Sequence, residues 1–92
     1  MKLELDVASI HSKADFHKAV KIASGISFYG ENLDALWDLL TGLVERPVSI
    51  TWKNAKLSKI SMDGDFDNIV KVIFAAVLYY ENDEFTFELS NS

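Results

Sequence analysis

Three short stretches of strict alternation limit what this chain can fold into. Leu3, Leu5 and Val7 alternate with Lys2, Glu4 and Asp6; Val48, Ile50 and Trp52 alternate with Ser49, Thr51 and Lys53; Phe85, Phe87 and Leu89 alternate with Thr86 and Glu88. Successive side chains of a strand point to opposite faces, so each stretch predicts a strand with one packed side and one wet side. The stretches between them are long and helically patterned. Parallel strands need such crossovers, whereas antiparallel neighbours can be joined by a tight turn. The pattern therefore predicts an α/β fold in two layers, a three-stranded parallel sheet with helices packed on one face. Parallel sheets are ordinarily covered on both faces, so the wet face that the alternation demands is unusual.

The crossovers can be read more closely. Phe16, Val20 and Ala23, with Ala19 and Ile22, predict a first helix from Lys13 to Ser24, stopped by Gly25. Leu33, Leu36, Trp37, Leu40 and Val44 recur at i, i+3, i+4, i+7 and i+11 and predict a second, with Asn32 as its N-cap. Pro47 keeps that helix from running into the second strand. A short third helix is expected from Ala55 to Ile60. A fourth, from about Phe66 to Tyr80, is apolar nearly all round and is expected to be buried on most sides. Within it, residues 69–74 would also suit a strand by propensity. Length, and the acids Asp63, Asp65 and Asp67 where a helix N-terminus would lie, favour the helix.

Ninety-two residues suffice for one core, so residues 1–92 read as a single domain. The chain is 49% hydrophobic and 25% charged with few Gly or Pro, as in a water-soluble globular protein, and it has no repeat or low-complexity tract. A net charge of -5 argues against a nucleic-acid partner and for a cationic one. There is no cysteine, which excludes disulfides and thiolate chemistry. The start lacks the apolar run of a signal peptide, and the longest apolar run, Val72 to Tyr80, is too short to span a membrane. The expectation is a cytoplasmic protein without membrane attachment.

Templates for catalysis fail one after another. There is no phosphate-binding glycine loop and no H-E-x-x-H, and the only histidines are His11 and His17. His17 lies within the first helix and is expected to be a structural histidine. Asp63-Gly64-Asp65-Phe66-Asp67 begins like a calcium loop, but Asn68 and Phe74 stand where that loop needs glycine and a bidentate acid. Helix capping is the expected role of these aspartates. No metal and no cofactor is called for.

What stands out is the run from Ser27 to Gly42. No Lys or Arg occurs between Lys21 and Arg46, while Glu31, Asp34, Asp38 and Glu45 all fall in that gap. A helix sets Asp34 and Asp38 one turn apart on the same side, where their repulsion costs roughly 0.2–0.5 kcal/mol. Hydrolytic carboxylate pairs face each other across a substrate, which two acids on one helix face do not. A solvated helix face and a surface shaped for a cationic partner both remain open. Trp37 sits at the edge of the apolar stripe and is expected to pack on the core, while Phe28 and Tyr29 are expected to be exposed anchors.

Phe28-Tyr29-Gly30-Glu31-Asn32-Leu33-Asp34-Ala35-Leu36-Trp37-Asp38, followed by Leu39-Leu40-Thr41-Gly42, resembles the signature of the barstar family, intracellular inhibitors of secreted ribonucleases such as barnase. Asp15-Phe16-His17, Glu45-Arg46-Pro47 and Trp52 extend the likeness over nearly the whole chain. The resemblance implies a non-enzymatic protein that plugs the active site of a basic microbial ribonuclease with its second helix and the loop before it. It implies that Asp38 takes the place of a substrate phosphate, supported by Asp34, Asn32 and the backbone around Gly30, with Phe28 over the catalytic histidine region. Tyr29, Ala35, Trp37, Thr41 and Gly42 complete the implied binding set, and the free protein is expected to be a monomer. A non-inhibitory module, or an immunity protein for another basic toxin, is the alternative. Three positions depart from the family pattern. Phe28 stands for a tyrosine, Leu43 for a tryptophan, and Ile73-Phe74-Ala75-Ala76 lacks the glutamate that the fourth helix brings to the interface.

Overall fold

The alternation places three strands side by side. In the computed structural model, which describes residues 1–6, 8–80 and 84–91, these are β1 (Lys2–Asp6), β2 (Val48–Lys53) and β3 (Phe85–Leu89). They form one parallel sheet in the order β1-β2-β3. Leu3 pairs with Ile50 and Leu5 with Trp52 across the first seam, and Val48 with Phe85 and Ile50 with Phe87 across the second. That register puts Leu3, Leu5, Val48, Ile50, Trp52 and Phe85 on one buried face. On the other, Lys2, Glu4, Lys53, Thr86 and Glu88 are exposed, as the alternation requires. Val7, predicted to continue the first strand, lies outside the described residues.

Four helices make the second layer: α1 (Lys13–Ser24), α2 (Leu33–Asp38), α3 (Ala55–Met62) and α4 (Gly64–Tyr79). The bounds of α1 are those predicted. Ser12 caps its start by accepting from the Asp15 amide, and Gly25 ends it at φ 70°, a left-handed conformation that glycine takes without steric penalty. The buried stripe of α1 is Phe16, His17 and Val20, while Ile22 and Ala23 face solvent. Phe16 stacks on Trp52 at a centroid distance of 5.5 Å, and Phe66 meets that indole edge-on at 4.9 Å. Trp52 is thus the centre of the core, with its Nε1–H donating to the buried Ser58 hydroxyl at 3.0 Å.

Two expectations need correction. The second helix does not run uninterrupted to Val44: α2 ends at Asp38 and a π-helical turn follows over Leu39–Leu43, closed by the Val44 amide on the Leu39 carbonyl. The wider turn lets Leu39 join Leu36 and Leu40 in the core. Thr41 turns its hydroxyl back onto the Trp37 carbonyl at 2.7 Å, a bond that loosens regular helix geometry. The second correction concerns α4, expected to be buried on most sides. Only Phe66, Ile69, Ile73 and Ala76 are buried, because a two-layer fold covers a helix along one stripe and leaves its outer side bare. No helix among the described residues is long and apolar enough to cross a membrane.

A candidate protein-binding face

The loop leading into α2 is built by a few local bonds. Asn32 is the N-cap, its Oδ1 accepting from the Ala35 amide at 2.8 Å while its Nδ2 donates to the Gly30 carbonyl at 3.3 Å. Space at Gly30 is tight: a Cβ there would stand 3.3 Å from the Ala35 Cβ, which would have to give by a few tenths of an ångström, and 3.5 Å from Asn32 Nδ2. Glu31 takes a positive φ of 55° between them, which completes a tight corner. The corner turns Phe28 outward, 73% exposed, and the helix it starts presents Asp34 and Asp38 to solvent. Ala35 and Trp37 are half-buried along the edge of the same helix. Trp37 packs against the core and meets Tyr79 of α4 edge-on at 5.7 Å. Thr41 is half-buried and Gly42 exposed at the far end.

Phe28, Gly30, Asn32, Asp34, Asp38 and Gly42 therefore lie along one exposed ridge, bordered by Ala35, Trp37 and Thr41. Tyr29 does not belong to its outer surface. Expected to be exposed, it is only 5% so, and its hydroxyl is bonded to His17 Nδ1 beneath the loop. Phe28 lies in a turn closed by the Tyr29 amide on the Ile26 carbonyl at 3.2 Å, so one aromatic of the pair anchors the loop and the other faces outward. Burial lowers the pKa of His17, aided by Lys13 and opposed by Glu31, and burial together with Glu31 raises that of Tyr29. At neutral pH the imidazole is uncharged and the phenol keeps its proton, and the two share one buried hydrogen bond. His17 is the structural histidine that the sequence predicts.

Charge along the ridge is one-sided. The ion pairs found among the described residues, Lys2–Glu4, Arg46–Glu84 and Lys59–Asp67, leave Asp34 and Asp38 without a cation. Beside the start of α2 lies an open cleft of about 640 Å³ between α1 and α4, walled by Lys13, Glu31, Asp34 and Asp65 with His17 at its lining. Among the described residues no group of three or more His, Asp or Glu side chains is placed to hold a metal ion. The acids at the α3–α4 junction behave as helix-terminal charges. Asp63 makes no side-chain capping bond, contrary to expectation, while Asp65 and Asp67 fill the first turn of α4 and Asp67 pairs with Lys59 at 3.0 Å.

Sequence reasoning missed what lies at the far edge of the ridge. Tyr80 follows α4 and donates its hydroxyl to the Leu40 carbonyl at 3.0 Å, holding the π-helical turn in place. Arg46 lies over the Tyr80 ring at 5.0 Å. The hydrophobic period of the second helix holds no sign of this bond; the one available hint is the tyrosine pair Tyr79-Tyr80 at the end of α4.

Comparison with known proteins agrees with this arrangement. The family model described as "Barstar (barnase inhibitor)" matches residues 1–91. A protein of Bacillus subtilis (strain 168) named "Putative ribonuclease inhibitor YrdF" is 44% identical over 46 residues, a stretch covering 50% of this chain and 50% of that protein. The matched stretch thus spans about half the length of this relative. Both descriptions are of inhibitors and not of enzymes. With a three-stranded parallel sheet, four helices and a match over all but its last residue, the chain belongs to the barstar family.

Proposed function

We propose that this protein inhibits a basic, barnase-like microbial ribonuclease by seating α2 and the loop before it in the enzyme's active site. One observation carries the reading: among the described residues Asp34 and Asp38 stand exposed and without an ion-pair partner, on the helix that a tight, Asn32-capped corner presents. Asp38 takes the position of a substrate phosphate among the enzyme's basic groups, and Asp34 reinforces the field from one turn away. Gly30, Asn32, Ala35, Trp37, Thr41 and Gly42 shape the rest of the contact, and Phe28 covers the catalytic centre. Tyr29 contributes from below by holding the loop. The inhibitor is a cytoplasmic monomer when free and acts by occlusion, binding neither nucleic acid nor membrane.

The test is inhibition of purified barnase on an RNA substrate, titrated at low and moderate salt. Stoichiometric inhibition that weakens as salt rises is expected, since screening reduces attraction between exposed charges. Asp38→Ala should weaken binding by roughly 2 kcal/mol or more, the range of an interface hot spot. A loss below about 0.5 kcal/mol would remove Asp38 from the phosphate role. A second reading, an immunity protein for a different basic toxin, is favoured by the absence of any acid from Asn68 to Tyr79 of α4. Its mark would be tight binding to such a toxin with barnase left uninhibited.

A further inference from the structure

Asp63 and Gly64 join α3 to α4, and they are the only Asp-Gly or Asn-Gly pair in the sequence. Asp63 stands at φ 52° and ψ -125°. That is the conformation of the first central residue of a type II′ turn, a place ordinarily given to glycine because a side chain there is strained. Two backbone bonds hold it so. The Asp63 amide donates to the Lys59 carbonyl at 2.7 Å, and the Phe66 amide donates to the Asp63 carbonyl at 3.1 Å. The Asp63 side chain makes no capping bond, and both junction residues are exposed to water.

At this ψ the Gly64 nitrogen is eclipsed with the Asp63 Cβ across the Cα–C bond, as a five-membered ring through N, C, Cα, Cβ and Cγ requires. We propose that the native protein modifies itself here, Asp63 closing on the Gly64 nitrogen to a succinimide that water opens to isoaspartate. The nitrogen attacks Cγ of the side-chain carboxyl, and its proton leaves with the carboxyl hydroxyl as one water. A second water then adds to either ring carbonyl. Breaking the bond from nitrogen to Cγ restores aspartate, while breaking the bond from nitrogen to the main-chain carbon gives isoaspartate. No electrons are gained or lost. Gly64 suits the attack, since no side chain shields its nitrogen and, as the first residue of α4, its N–H has no acceptor within that helix. Asp34, Asp65 and Asp67 lack the geometry. Their helical backbone turns the next nitrogen away from Cβ, and Ala35, Phe66 and Asn68 follow them. Isoaspartate carries the main chain through Cβ and Cγ, one carbon longer. The extra carbon falls between Met62 and Phe66, both buried, and Phe66 packs on Trp52 at the centre of the core. Rearrangement thus loosens the seat of α4, because a close-packed interior responds to a single added carbon.

The experiment incubates the full chain at neutral pH in water carrying the heavy oxygen isotope, folded in buffer and unfolded in guanidinium chloride, beside Gly64→Ala. Peptide mapping by mass spectrometry reads label and isoaspartate at residue 63. Each ring opening leaves one heavy oxygen there, even where it restores aspartate. The folded chain should take up label at Asp63 about tenfold faster than the unfolded chain, because the fold has already met the conformational cost of reaching this ψ. Asp34, Asp65 and Asp67 should stay unlabelled over the same period. In Gly64→Ala the added Cβ has nothing within 4 Å to disturb, so the variant should fold as the wild type does, which circular dichroism checks. Its uptake should be severalfold slower, since the new side chain crowds the attacking nitrogen. Uptake at Asp63 no faster in the folded chain than in the unfolded one would overturn the proposal. Equal uptake by wild type and folded Gly64→Ala would overturn it as well. The separated isoaspartyl form should unfold at a lower guanidinium concentration than its parent, and an equal midpoint would overturn the effect on α4. No arm uses ribonuclease inhibition, so the outcome is independent of the inhibitory reading.

Discussion

Beneath the ridge, His17 and Tyr29 form a pair whose protons are fixed by burial. The Tyr29 hydroxyl and His17 Nδ1 share a buried hydrogen bond, so removing the hydroxyl leaves the ring nitrogen without that partner. Tyr29→Phe is expected to destabilise the fold by about 1–3 kcal/mol, measurable by denaturant unfolding. It should also loosen the loop and so weaken the proposed inhibition, although Tyr29 is buried beneath it. The pair makes stability depend on pH. The folded His17 has its pKa below the ordinary value of 6.5, so below about pH 6.5 the unfolded chain binds a proton that the folded one refuses. Stability from this site is complete above that pH and falls as the pH drops through it towards the lowered pKa. Unfolding curves between pH 7.5 and about 5 should show this fall, and His17→Gln should flatten it; an unchanged slope in the variant would assign the effect to other groups. None of this pairing was legible in the sequence beyond the structural role of His17. Phe28 and Tyr29 are chemically alike neighbours in a loop, where no periodicity says which one turns inward.

Among the elements, the π-helical turn sets the shape of the ridge's far end. Leu39, Leu40 and Leu36 are all buried, which a regular helix with its stripe on Leu36, Leu40 and Val44 would not achieve as fully. A single turn is too short for hydrophobic period to separate the two helical forms, so the sequence predicted an ordinary helix through Val44. Gly42, inside the turn, is exposed, and a Cβ there would have nothing within 4 Å. Gly42→Ala should therefore stabilise the free protein by about 0.4–1 kcal/mol through lower unfolded-state entropy. If the ribonuclease closes on this end of the helix, the same methyl group lowers affinity. A thermal melt and an inhibition titration on one preparation would separate the two effects. The strands and the bounds of α1 were legible in alternation and capping, but Ile22 and Ala23 of the predicted stripe face solvent, and Leu89, on the side of β3 that the pattern packs, is exposed. The outer side of α4 was not legible, because a helix apolar all round carries no information about which stripe meets the sheet.

The whole molecule has two unlike sides. Helices cover one face of the sheet and carry the ridge on their outer surface. The other face is a row of polar side chains including Lys53, Thr86 and Glu88. This open face was legible from the alternation alone, although parallel sheets are seldom built so. Its consequence is practical: the side opposite the ridge is a natural point of attachment. The chain contains no cysteine, so Thr86→Cys would supply a unique thiol on that exposed back. A dye or surface linker coupled there should leave barnase inhibition within about twofold of wild type, since the substitution removes no buried contact. A fluorescent or immobilised ribonuclease sensor would then be available without touching the residues proposed to recognise the enzyme.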